Sequence, residues 1–153
     1  MRSKQYVRSE RSKKSATTAE RKAVAQGARS SKCPSPEERE AARRPLASLI
    51  SKSEKAQQKL RPDSWQYAML AENLKALRLA NALLNESSSA AAAAAQSELQ
   101  HARQRLEGLC QKVAETQRRF ALGAAAHTLQ RNRLAALQTA AALVALRERE
   151  LGA

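Results

Sequence analysis

Aromatic side chains make up only 3% of this 153-residue chain, with one Trp, two Tyr and one Phe, and its hydrophobic share leans on alanine. At about 25 cal/mol per Å² of apolar surface removed from water, a helix of Leu and Ala gains much less from burial than one carrying Phe, Ile and Trp. A thin core that depends on helix pairing is expected. The four glycines, Gly27, Gly108, Gly123 and Gly152, are isolated, so no phosphate-cradling loop follows a strand. Cys33 and Cys110 provide neither a disulfide framework nor paired metal-ligand spacing, and a reducing compartment is the expectation. His101 and His127 lie one helical turn from no Cys or Asp, and His101 has only Glu98 three residues earlier, the pattern of a surface pair. These absences leave no catalytic group, metal set, cofactor site or small-molecule pocket to name, and a non-enzymatic protein is expected. No stretch approaches the roughly 18 unbroken apolar residues that span a bilayer, and the start lacks the apolar centre of a signal peptide. A soluble intracellular protein without a membrane partner is the expectation.

What the chain has in excess is positive charge, +14 overall with a pI near 10.7. Such a balance favours polyanionic partners: nucleic acid, an acidic protein surface or anionic lipid. Ten Lys or Arg stand against Glu10 and Glu20 between Met1 and Cys33, so more than half of the excess falls in the first fifth of the chain. Residues 1–34 have Tyr6, Val7 and Val24 as their only sizeable apolar groups and are expected to be a disordered basic tail. Within it, Arg8, Arg11, Lys13 and Lys14, followed by Arg21 and Lys22, loosely resemble a bipartite nuclear import signal. The same residues could bind phosphates by counterion release, although Tyr6 is the only aromatic available for base stacking. An Arg- and Ser-rich start also resembles a mitochondrial transit peptide, interrupted here by Glu10 and Glu20.

Order is expected from Ser35, where Ser-Pro-Glu-Glu forms a capping box with Pro36 preset for the first helical turn. Residues 35–86 form an amphipathic helical region in which Pro45 is expected to kink or restart the first helix. Arg61, Pro62 and Asp63 mark the next break, with Asp63 and Gln66 offering a cap. Leu70, Leu74, Leu77 and Leu84 then recur at helical spacing, with Tyr67 and Asn81 in the same stripe. Trp65, beside the capped start, is either an interface anchor or a core residue, and the core is the expectation. Residues 87–96 form a Ser/Ala linker whose alanines lead into the next helix.

From residue 97 to 151 a heptad frame runs through Leu99, Leu106, Leu109, Val113, Phe120, Leu134, Leu137 and Val144. It predicts one helix of about 80 Å at 1.5 Å per residue, or a hairpin broken near Gly123. Arg105, Lys112, Arg119, Arg133 and Arg147 occupy the column that borders this seam, and Glu98 is its only acid. His127, with Gln130, is expected to loosen the coil or fix its register. A second apolar column, Leu122, Leu129, Ala136 and Leu143, lies on another side of the helix. A surface so broadly apolar is normally buried in a bundle or complex, and help from another molecule in covering it is expected.

The fold class expected is therefore all-α: a basic tail followed by amphipathic helices that form a helical hairpin or coiled coil. The expected function is that of an adaptor or small subunit of a larger assembly, in the nucleus rather than the cytoplasm or mitochondrion. A protein partner bound through the helices, hetero-oligomeric rather than homodimeric, is expected because a parallel copy offers no acid opposite the basic column. Nucleic-acid binding through tail and arginines is the competing expectation.

Overall fold

The computed structural model describes residues 32–86 and 89–153, and every regular element among them is α-helical. Helix α1 spans Pro36–Gln58, α2 Trp65–Asn85, α3 the single turn Ser89–Ala92, α4 Gln96–Arg118 and α5 Ala125–Gly152. Residues 1–31, and with them nearly all of the expected basic tail, lie outside the described residues.

Local chemistry explains each boundary. At the start of α1, Ser35 Oγ accepts from the Glu38 N–H at 3.2 Å, and the Glu38 carboxylate accepts from the Ser35 N–H at 2.7 Å. This closes the capping box. The expected break at Pro45 does not occur, and α1 runs through it. Proline withdraws one donor from the Ala41 carbonyl, but Ala41 is exposed, so water can satisfy that oxygen. Helix α2 is capped by Ser64, which accepts from the Tyr67 N–H at 3.2 Å and donates to the Arg61 carbonyl at 2.7 Å. Asp63, the expected cap, pairs instead with Arg61 at 2.9 Å. Before α4, the Glu98 carboxylate accepts from the Ala95 N–H at 3.0 Å, and the alanines that were expected to lead into this helix form the separate turn α3.

The long frame from 97 to 151 is a hairpin. Helix α4 stops at Arg118, residues 119–124 turn, and Gly123 adopts φ +83°, a left-handed conformation that costs any other L-residue energy. Antiparallel pairing of α4 with α5 is fixed by Arg103 to Glu148 at 2.8 Å near one end and by Gln117 to His127 at 3.3 Å near the other.

Helices α1, α2, α4 and α5 form an up-down-up-down bundle in which α1 packs on α2 and α5, while α4 packs on α5 and α2. Both short loops, 59–64 and 119–124, therefore lie at one end. The core fills the other end more completely. Its buried residues come from the first half of α1 (Ala42, Leu46), the second half of α2 (Ala76, Leu77, Ala80, Leu84), the first half of α4 (Leu99, Ala102, Leu106) and the middle and second half of α5 (Ala136, Leu137, Ala140, Leu143, Val144). Toward the loops, Leu49, Ile50, Leu109, Cys110 and Val113 are only partly buried. Alanines at the contact positions let the helices approach closely, and the leucines fill the space between them.

This packing corrects the expectation of outside cover. Leu74, Leu77, Leu84, Leu99, Leu106, Leu137 and Val144 are buried within a single copy of the chain, while Leu70, Leu109, Val113 and Leu134 are half-buried. Phe120 has left the seam for the loop and is exposed.

Leu106 and Leu137 are each 0% exposed, and replacing either with Ala is expected to reduce the unfolding free energy by about 2–5 kcal/mol. Urea midpoints at unchanged m-value would measure this. Gly123→Ala should cost about 1–2 kcal/mol through its backbone alone.

Candidate functional site

Ion pairing divides the bundle into two unlike halves. In the well-packed half, Arg39 pairs with Glu86, linking the start of α1 to the end of α2. Arg147 reaches Glu150 at 3.1 Å and the Ala92 carbonyl at 3.1 Å, which ties α5 to α3. Arg103 bonds Glu107 at 3.0 Å and Glu148 at 2.8 Å, and these two carboxylates push its guanidinium further toward the charged form. Glu72 accepts from Lys75 at 3.0 Å and contacts His101 on α4 at 2.9 Å; the two hydrogen bonds hold its carboxyl below the usual carboxylate range. His101 thus pairs across the bundle, and Glu98, its expected neighbour, serves as the cap of α4.

The loop half is different. Lys52, Lys55, Lys59, Lys112, Arg118, Arg119 and Arg131 form no ion pair among the described residues. Its acids are few and mostly held: Asp63 by Arg61, Glu54 by Arg78 at 2.7 Å, and Glu72, in the first half of α2, by Lys75 and His101. Glu115 remains, and no Asp or Glu stands between it and Glu148. Among the described residues, the same half carries four of the five large apolar side chains left exposed: Trp65 at 69%, Leu122 at 89%, Phe120 and Leu129. Leu151 at the opposite end is the fifth. Trp65, expected in the core, is outside because α2 begins with it, beyond the level at which α2 becomes buried.

The expected basic edge does not survive as one row. Arg105, Lys112 and Arg119 belong to α4 or its cap, whereas Arg133 and Arg147 are on the antiparallel α5. The hairpin breaks the frame that aligned them. Arg133 Nε is buried without a hydrogen-bond partner among the described residues, and Arg147 is already occupied. Arg8, Arg11, Lys13, Lys14, Arg21 and Lys22 lie outside the described residues. Asn81 is half-buried, and the buried amide side chain is that of Asn73. The cationic, acid-poor loop half went unpredicted, although the sequence holds its signal in the long gap between Glu115 and Glu148.

Other concave places have less to offer. A groove of about 680 Å³ between α2, α3 and α4 has Leu79, Ala94 and Ala102 among its lining, with Glu72, Arg78 and His101 around it. Its charges already pair with one another or with Glu54. No group of three His, Cys, Asp or Glu able to hold a metal ion occurs among the described residues, and none of the described helices is long and apolar enough to cross a membrane. Burial pushes the half-buried Cys110 thiol up to about 11, while Cys33 is exposed. Because the folded-state value is the raised one, this thiol favours the folded chain at neutral pH and ceases to do so as the pH climbs toward 11. Comparison with known protein families, with curated proteins and with solved structures gave no match.

Iodoacetamide at mildly alkaline pH should therefore modify Cys33 quickly and Cys110 slowly, because the thiolate is the reactive form. Intact-mass spectrometry should show the second adduct appearing quickly only when urea unfolds the chain. Equal rates in the folded protein would contradict the burial of Cys110.

Proposed function

We propose that this chain is a non-enzymatic helical adaptor or small subunit of a protein assembly, which engages a different protein through the loop half of its bundle. One observation carries the reading: Lys and Arg side chains without ion pairs among the described residues share one half of the molecule with exposed Trp65, Phe120, Leu122 and Leu129. An apolar centre with a polar rim is the ordinary anatomy of a protein interface. A cationic rim selects partners and speeds encounter, and the apolar contacts supply most of the affinity.

The seam leucines enter this reading as the scaffold that presents the surface. The basic tail adds a nuclear address or a nonspecific polyanion contact, with Arg8, Arg11, Lys13, Lys14, Arg21 and Lys22 as the groups involved. The nucleic-acid reading rests on charge alone, and the aliphatic Leu122 and Leu129 have no part in base stacking.

Tagged full-length chain and a version lacking residues 1–31 should both recover the same protein in near-equal molar ratio, with nuclease treatment leaving the ratio unchanged. Quantitative mass spectrometry would measure it. Recovery that needs residues 1–31, vanishes on nuclease treatment and falls by decades over a few-fold rise in salt would establish the nucleic-acid reading instead.

A further inference from the structure

Within the loop half, residues 118–122 concentrate what a docking element needs. Arg118, Arg119, Phe120, Ala121 and Leu122 are consecutive and all exposed, and they sit where the α4 and α5 hairpin reverses. Leu122 is the most exposed large apolar side chain among the described residues. The left-handed φ of Gly123 follows it directly, so the turn fixes where Leu122 stands. The packing of α4 on α5 holds the base of this loop in place, which lowers the ordering cost of binding.

Charge narrows the choice of occupant. Residues 1–31 carry nine Lys or Arg against two Glu, so the chain's own tail repels this loop. A second copy meeting it about a two-fold axis would set Arg118 and Arg119 against their own equivalents. A bilayer is a poor fit as well, since surface binding scales with inserted apolar area. Here the loop offers only Leu122 and Phe120, at 89% and 39% exposed, a small area for insertion. A protein pocket, by contrast, can close around both side chains from several directions.

Resting on the adaptor reading above, we propose that the α4 and α5 loop is a knob that inserts Leu122 and Phe120 into an apolar pocket of a protein partner. Acidic residues on the rim of that pocket meet Arg118 and Arg119. Bidentate guanidinium to carboxylate pairing fixes the approach, and Leu122 determines how long the complex lasts.

The test uses the folded full-length chain, with synthetic amphipathic peptides as probes, acidic on one face and carrying Leu, Phe and Trp on the other. Matched peptides with Lys in place of the acids, vesicles of phosphatidylserine and phosphatidylcholine, and a single-stranded oligonucleotide are measured beside them. Acidic peptides are expected to bind, Leu122→Ser to raise the dissociation rate at least tenfold, and the double variant R118E/R119E to reduce the association rate and its salt dependence. Leu151→Ser, which alters the exposed leucine at the opposite end, should bind as the unaltered chain does, and all variants should keep its circular dichroism spectrum and melting temperature. Failure of every acidic peptide to bind, equal binding by Leu122→Ser, or tighter binding to vesicles or oligonucleotide each overturns the knob. If the knob variants still recover a stoichiometric protein partner in the capture experiment, the adaptor reading stands and only this placement of its interface falls.

Discussion

Close approach of helices at alanine positions is the constraint on which this structure depends. With so few aromatics, the chain cannot fill wide gaps between helices, so the helices must come near enough for leucine to suffice. Ala42, Ala76, Ala80, Ala102, Ala136 and Ala140 are all buried among the leucines of the four long helices. A larger side chain at any of them would force the helices apart and leave the adjoining leucines poorly packed. The alanine content that suggested a weak core is thus the means by which a leucine core closes within one copy of the chain. The same geometry weights that core toward one end of the bundle, because the best-packed Ala and Leu positions lie in the first halves of α1 and α4 and in the middle and second halves of α2 and α5.

Much of the helical framework was legible in the sequence. The capping box at Ser35, the break at Arg61 and Pro62, and the periodic leucines of α2 are local signals, and the folded chain follows them. What escaped depends on contacts between distant segments. Pro45 carries a strong local signal for interruption, which an exposed Ala41 carbonyl and the packing of Leu46 override. The heptad frame from Leu99 to Val144 was continuous on paper because its period survives a turn, and only Gly123 hinted at the reversal. Once the chain doubles back, residues that shared a column, such as Lys112 and Arg133, stand on different helices. The inference that foreign helices must cover the seam failed for the same reason: periodicity shows that a face is buried but not by what.

The candidate site was less legible than the fold. Its parts come from both loops and the adjoining ends of four helices, so no linear window contains it. Trp65 resembled a core residue because large aromatics usually are, yet its helix begins beyond the buried region. Basic residues in the sequence gave no sign of which would find acids. Arg103 finds Glu148, 45 positions away, whereas Arg118 and Arg119 find no acid among the described residues. Ion pairs are denser toward the well-packed end, which still leaves Arg44, Arg105 and Arg149 without one among the described residues, and this difference in density is what the adaptor reading rests on.

The partial burial of Leu49, Ile50, Leu109 and Val113 has a consequence for the protein's turnover. Local opening begins where apolar contacts are fewest, so within the described helical bundle proteases would reach an unaccompanied copy first at the loops 59–64 and 119–124. On the adaptor reading proposed above, a companion seated there would stabilise the whole chain by mass action, by an amount that grows with the logarithm of its concentration. The cellular level of the protein would then follow the supply of its companion, with orphan copies removed by degradation.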